Sequence, residues 1–265
     1  MSHYDVLSNI LPVAGELVMQ YRNQDGQVTE KEKNEIVTPA DIAANDYLVA
    51  KLQEAFPEIA LYTEEGDQHK SQATTRWIVD PIDGTTPWVW GNSGFAISVA
   101  LEENNEIIVG AVYDPVMKEL YYAEKGQGAN RNGVPIKPSN EDRRESMLMV
   151  VDWGNKDDKR REGLEYFSKF MLPDMFARRI VPQFAPALGL CRIAEGRIHA
   201  LVCNDTWVED HAAGSLILQE AGGFRTNFYD TKSFSHRQSG IIATNQQTAH
   251  DEIVKLLGLR TNKDT

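Results

Sequence analysis

The chain reads as α+β in its front half and α/β in its back half, with a boundary near residue 145. Three observations predict this. Between Trp77 and Gly128 alternating apolar runs follow one another across short turns, which is the pattern of an antiparallel meander. Beyond residue 145 helical and strand-like segments take turns, which sets helices against a sheet. A length of 265 residues, 42% hydrophobic and 25% charged, suits one large or two small domains around a substantial core. The division expected is 1–145 for an α+β half and 146–265 for an α/β half.

The elements follow in order. Val6, Ile10, Val13, Ala14, Leu17, Val18 and Tyr21 recur at helical spacing and predict an opening amphipathic helix, with Pro12 starting its main part or kinking it. The charged stretch QDGQVTEKEKNE reads as a solvated hinge or flap. VTPAD begins a second helix: Thr38 as N-cap, Pro39 at the first helical position and Asp41 at the third. Ala44, Leu48, Leu52 and Ala55 face inward, and the helix ends near Pro57. Trp77–Val79 is a strand; FAISVALEE, IIVGAVYDP and ELYYAEKGQG form the meander. Ser146–Val151 is a strand, and a helix runs from the charged residues near Asp157 through Phe170. ALGLCRIAEG (helix), RIHALVC (strand), DHAAGSLILQEAGG (helix), GIIATN (strand) and a helix through Leu257 complete the chain.

Charge and composition exclude several functions. With 27 Lys+Arg against 39 Asp+Glu the formal charge is −12, which disfavours nucleic acid and anionic membranes as partners. Two cysteines, Cys191 and Cys203, fit buried free thiols in a reducing compartment. No basic-then-apolar leader opens MSHYDVLSNI and no apolar run is long enough to span a bilayer, so a cytoplasmic protein is expected.

The most informative stretch is WIVDPIDGTT, Trp77 to Thr86. Asp, Gly and Pro make ordinary surface turns, so a plain turn is one reading. The other is chemical. Asp80 and Asp83 flank a tight turn at a strand exit, and carboxylates held about 4–6 Å apart repel unless protonated or bridged by a cation. A hard divalent ion takes carboxylate and carbonyl oxygens, and the Ile82 carbonyl lies between the two acids. Beyond them the Gly84 and Thr85 amides precede a helix start, with Thr86 as N-cap and Pro87 first in the helix, where a phosphate can sit.

Together, DPIDGTT, TEEGD at 63–67, VTPAD at 37–41 and EDHAAGSLILQEAGG at 209–223 resemble the inositol monophosphatase family of metal-dependent, lithium-sensitive phosphatases. The resemblance runs from Val37 to Gly223. It implies a layered αβαβα sandwich and commonly a homodimer, with two or three Mg²⁺ per site. Glu64, Asp80, the Ile82 carbonyl, Asp83 and Asp210 match the family's metal ligands. Asp41 and Thr85 match the pair that orients the attacking water, with Glu64 also placed in the catalytic set. Asp83, Gly84, Thr85 and Asp210 match the phosphate-binding positions. The four carboxylates Glu64, Asp80, Asp83 and Asp210 bring about −4 into one cleft, and two divalent cations offset it. Metal-assisted, in-line hydrolysis of a small phosphate monoester follows. Plainer roles stand beside these: Glu64 as a solvated acid, Asp41 and Asp210 as caps, Thr85 as a turn hydroxyl, and Cys203 and His211 as packing residues.

The chain departs from the family pattern on the alcohol side. After DPIDGTT come Pro87, Trp88, Val89 and Trp90, the two tryptophans reading as core or lid packing, with stacking on a substrate as the alternative. Glu209 replaces a tryptophan before Asp210, and Cys203 stands where inositol-specific members carry a substrate-binding glutamate. VPQFAPALG replaces the family's Gly-Ser helix entry. Histidinol phosphate, a sugar phosphate or a nucleotide 3′-phosphate therefore remains open beside an inositol phosphate, and so does a non-catalytic binding or regulatory protein on this fold.

Overall fold

The computed structural model describes residues 2–22, 28–32, 35–65, 73–172, 174–182 and 185–259. Helix α1 (His3–Tyr21) opens on a reciprocal cap, in which Ser2 Oγ accepts from the Asp5 amide and the Asp5 carboxylate accepts from the Ser2 amide. That cap starts the helix well before Pro12, which lies inside it rather than at its beginning. In the stretch expected to be a solvated hinge or flap, the described residues form an antiparallel pair, β1 (Thr29–Glu32) with β2 (Glu35–Val37). The rest of that stretch, 24–27 and 33–34, lies outside the described residues.

Helix α2 (Pro39–Ala55) begins as its sequence predicts. Thr38 caps it, Pro39 takes the first position, and the Thr38 and Asp41 side chains bond reciprocally to each other's amides. Ala44, Leu48 and Leu52 are buried, but Ala55 in the last turn is exposed, because the chain leaves the sheet surface there.

The first sheet comprises β3 (Ala60–Thr63), β4 (Thr75–Asp83), β5 (Ala96–Glu103), β6 (Glu106–Asp114), β7 (Glu119–Glu124), β8 (Ala129–Arg131) and β9 (Val134–Pro135), in that spatial order. β3 runs parallel to β4, and every later pair is antiparallel. The β5–β6 hairpin turns on Asn104 and Asn105, both at positive φ (51° and 66°), a backbone that asparagine tolerates and tight hairpins require. Helix α3 (Thr85–Val89) interrupts the meander between β4 and β5.

The second sheet is built from β10 (Leu148–Asp152), α4 (Asp157–Met171), β11 (Arg179–Pro182), α5 (Pro186–Ala194), β12 (Ala200–Cys203), α6 (Val208–Ala221), β13 (Phe224–Asn227), β14 (Ile241–Thr244) and α7 (Gln247–Leu257). Its order is β11-β10-β12-β14-β13; the first three are parallel, while β14 and β13 run antiparallel to their neighbours.

Side-chain alternation stacks these elements into layers. On β4, Trp77 and Val79 join α1 and α2 in one core, while Ile78 faces α5 and α6 in another. On β10, Val150 faces α5 and α6, while Met149 and Val151 pack with α4 and α7. The result is α1α2, sheet, α5α6, sheet, α4α7. Both faces of the first sheet are therefore buried, which explains why β4 carries an unbroken apolar run. Close approach of α6 depends on Gly110 in β6: a Cβ there would lie 2.6 Å from the Ala213 carbonyl oxygen.

Candidate active site

A three-residue separation on a regular strand would send Asp80 and Asp83 to opposite faces. The β4–β5 register prevents this. Asp80 pairs with Ser98 and Asp83 with Ala96, so the chain from 80 to 83 holds one residue more than its partner, a β-bulge. Pro81 sits inside the bulge, where its missing N–H is tolerated. The strand thus continues through Asp83 instead of ending in the free turn expected at Asp80, and the irregularity turns both carboxylates toward the α5–α6 layer. Asp80 Oδ1 accepts the Ile82 amide at 2.9 Å, fixing the loop from within.

The other side chains arrive from three further elements. Asp210, third residue of α6, accepts the Trp207 amide at 2.6 Å and so caps its own helix. Asp83 reaches the start of α5, where Oδ2 accepts the Leu188 amide at 3.3 Å. Helix α5 has no side-chain cap of its own, so Asp83 takes that part from across the layer. Glu64 continues the β3–β4 pairing, its amide donating to Val79 O at 3.1 Å, which places it beside Asp80.

Carboxylate oxygens of Asp80, Asp83 and Asp210 lie within 4.8 Å of one another. Burial is the main force holding all three acids well above the ordinary carboxylate range, and repulsion from neighbouring acids, Glu64 among them, adds to it. Glu64 stands outside the triplet itself. Two further buried carboxylates adjoin the cluster: Glu209, noted in the sequence only as a departure from the family pattern, opposes ionisation of Asp80 and Asp210, and Asp152, not singled out there, opposes that of Asp83. Asp152 is itself pushed up to about 8, chiefly by burial.

Next to the triplet lies a hydrogen-bonded threonine–aspartate pair. Thr85 Oγ1 is 3.2 Å from Asp41 Oδ1 and 3.2 Å from the Ile82 carbonyl, so its single proton can be donated to either acceptor. Asp41 is fully buried, and its Oδ2 accepts from the Thr38 amide at 2.8 Å and the Thr38 hydroxyl at 2.5 Å. Burial pushes Asp41 upward, against those hydrogen bonds.

Helix α3 starts two residues earlier than expected. Gly84 at φ 93° is its N-cap and Thr85 its first residue, so Thr86 and Pro87 lie inside it. The left-handed turn that glycine permits lets the chain fold back directly after the bulge. Of the tryptophans, Trp88 is core, as expected, but Trp90 is 77% exposed and packs in no core. Cys203 and His211 are buried packing residues, the His211 ring standing edge-on to Phe234 with the ring centroids 5.9 Å apart. Both cysteines are free, buried thiols. Among the described residues no helix is long and apolar enough to cross a membrane.

The donors at this site are hard oxygens in a buried, mutually repelling set, and they fit a hard divalent cation. The model of one protein family, the inositol monophosphatase family, matches residues 3–260. The chain belongs to the inositol monophosphatase family. Similar curated proteins include the fructose-1,6-bisphosphatase/inositol-1-monophosphatase of Thermotoga maritima, 32% identical over 97% of this chain and 96% of that protein. The inositol-1-monophosphatase of Bacillus subtilis is 30% identical over 85% and 84%. The Nus factor SuhB of Pseudomonas aeruginosa is 32% identical over 88% and 87%. Among solved structures, the Thermotoga maritima IMPase superposes with a TM-score of 0.84 at 30% identity, covering 97% of each chain. The layered sandwich is thus the family's fold.

Proposed function

We propose that this family member hydrolyses a small phosphate monoester with Mg²⁺. The observation that carries the reading is the convergence of Asp80, Asp83 and Asp210 next to the Thr85–Asp41 pair. Asp80, the Ile82 carbonyl, Asp83, Asp210 and Glu64 would hold the ions. Bound there, Mg²⁺ supplies Lewis acidity at the phosphoryl oxygens and makes water a competent nucleophile near neutral pH.

The rest belongs to the chain. Thr38 pins Oδ2 of Asp41, leaving Oδ1 to accept the Thr85 hydroxyl proton. Thr85 Oγ1 then has a lone pair for the proton of an attacking water, and as it takes that proton its own passes to Asp41 Oδ1, which becomes neutral. Glu64, on the β3 side of the cleft, is the second acid within reach of the incoming nucleophile. Gly84 and Thr85 present their amides to the phosphate after the left-handed turn, with Asp83 and Asp210 framing it. A homodimer and lithium sensitivity accompany this reading, as the resemblance implies.

The substrate is the open part. Inositol, histidinol and sugar monophosphates and a nucleotide 3′-phosphate share the ester that the metal end needs. A second reading, a binding protein without turnover, is suggested by relatives named Nus factor, among them the Pseudomonas aeruginosa protein. Phosphate release from these monoesters, with and without Mg²⁺ and Li⁺, separates the readings. Mg²⁺-dependent release that Asp83→Asn abolishes supports the enzyme; no release from any ester supports the binder.

A further inference from the structure

Two carboxylates beside the cluster, Glu209 and Asp152, take no part in the scheme above. Asp152 ends β10 beside Cys203, its partner in register at the end of parallel β12. Side chains alternate along a strand, so Asp152 shares with Val150 the face turned toward α5 and α6, and Cys203 lies on that face too. Asp152 is 9% exposed and lies close enough to Asp83 to oppose its ionisation. It therefore borders the cleft from the second sheet, opposite the bulge.

Its surroundings leave it short of positive charge. Oδ1 accepts the adjacent Trp153 amide at 2.7 Å, while the neighbouring Cys203 thiol donates to the Asp205 carbonyl at 3.0 Å and has no second proton to offer Asp152. A thiol is a weak donor. A second carboxylate, Asp205, is held nearby by the Ser239 hydroxyl, 2.7 Å from Oδ1, and itself opposes ionisation of Asp152. The loop after β10 is shaped around it, since a Cβ on Gly154 would come within 2.3 Å of Asp205 Oδ2. The neighbouring lysines are engaged elsewhere: Lys156 lies over the Trp207 ring, and Lys159 bonds Tyr229 and pairs with Glu162.

We propose that Asp152 is a specificity residue of this active site and selects phosphate monoesters whose alcohol carries a cationic nitrogen. This rests on the phosphatase reading. With the phosphate at the metal ligands, an alcohol portion directed toward β10 and β12 would bring its ammonium group to Asp152, favouring the ionised carboxylate there, with Asp205 behind it. A charge-assisted N–H···O bond is roughly twice as strong as its neutral counterpart, so an amine gains more there than a hydroxyl of the same reach.

Matched esters test this in the presence of Mg²⁺: 2-aminoethyl against 2-hydroxyethyl phosphate, and 3-aminopropyl against 3-hydroxypropyl phosphate. The expected result is a kcat/KM at least about 10-fold higher for the amines. In Asp152→Asn that ratio collapses toward 1, through KM of the amines more than through kcat, while the hydroxyl esters change less. Equal or lower kcat/KM for the amines in the unaltered protein overturns the assignment, whether or not the variant folds, and so does an undiminished ratio in folded Asp152→Asn. Turnover of the hydroxyl esters alone refutes the amine preference and leaves the phosphatase reading standing; no turnover of any ester refutes both.

Discussion

At the scale of single residues, the site depends on oxygen atoms whose positions are set by backbone hydrogen bonds. Asp83 serves both the cluster and the start of α5, and Asn at this position keeps the acceptor but loses the charge. Asp83→Asn is therefore expected to fold and to lose at least about 10³-fold in kcat, checked by phosphate release alongside circular dichroism. Thr85 supplies a hydroxyl that serine also supplies. Thr85→Ala should lower kcat about 10²- to 10⁴-fold, with Thr85→Ser recovering most of it in steady-state kinetics. Thr38 and Asp41 were legible in the sequence as a cap because capping chemistry is local: VTPAD states its own hydrogen bonds. The Thr85 hydroxyl was singled out only by the family resemblance, since the capping pattern pointed to Thr86. Asp152 was not, since an aspartate before Trp-Gly looks like any strand end. Only the register with Cys203 brings it to the cleft. Glu209 was noticed as a substitution, yet its burial beside Asp210 is a property of α6 packed on the sheet.

At the scale of elements, the meander, α2, α4 and the alternating back half follow from apolar periodicity and are present as expected. What periodicity does not reveal is short or charged. β1 has the sequence TEKE, β8 and β9 are three and two residues long, and β11 and β13 are edge strands of four. Such segments pair because neighbours offer them free edges, and single-strand patterns carry no trace of that. The bulge at Pro81 is likewise invisible until β4 is set against β5, although it decides where Asp80 and Asp83 point. Helix α6 holds Asp210, and its seat on the first sheet depends on Gly110. Gly110→Ala forces the Ala213 carbonyl away, and a loss of roughly 1–3 kcal/mol in urea unfolding is expected. Weaker Mg²⁺ binding should accompany it, because Asp210 moves with the helix.

At the scale of the whole molecule, two features tie the layers together. The first is Glu102 on β5, almost fully buried, which receives Arg76 at 2.5 Å, His236 at 2.8 Å and Arg237 at 2.7 Å. Arg76 belongs to the first sheet, whereas His236 and Arg237 belong to the segment between β13 and β14. Burial works upward on the Glu102 carboxyl, but these donors outweigh it and hold it below its ordinary range. Its contribution is thus present at neutral pH and fades as pH falls through the lowered value. Glu102→Gln leaves Arg76 with a buried charge and should cost about 3–5 kcal/mol in denaturant unfolding at pH 7.

The second feature is the acid cluster, whose sign is opposite. Asp80, Asp83 and Asp210 are raised well above their ordinary values, and Asp152 to about 8. The folded, metal-free chain therefore holds protons that the unfolded chain has already released. This stabilisation is complete below about pH 4, the unfolded carboxylate range, and is lost as pH rises through the raised values. A divalent cation needs those carboxylates ionised, so protons compete with it at low pH. Mg²⁺ is expected to raise Tm more at pH 8 than at pH 5, as measured by thermal unfolding at a fixed Mg²⁺ concentration.

The central claim concerns where a cation sits, and anomalous scattering from crystals grown with Mn²⁺, a stand-in for Mg²⁺ of the same hard character, measures that directly. The expected result is at least one anomalous peak within bonding distance of carboxylate oxygens from Asp80, Asp83 and Asp210. Full occupancy at some other place, with no density between these three residues, would contradict it.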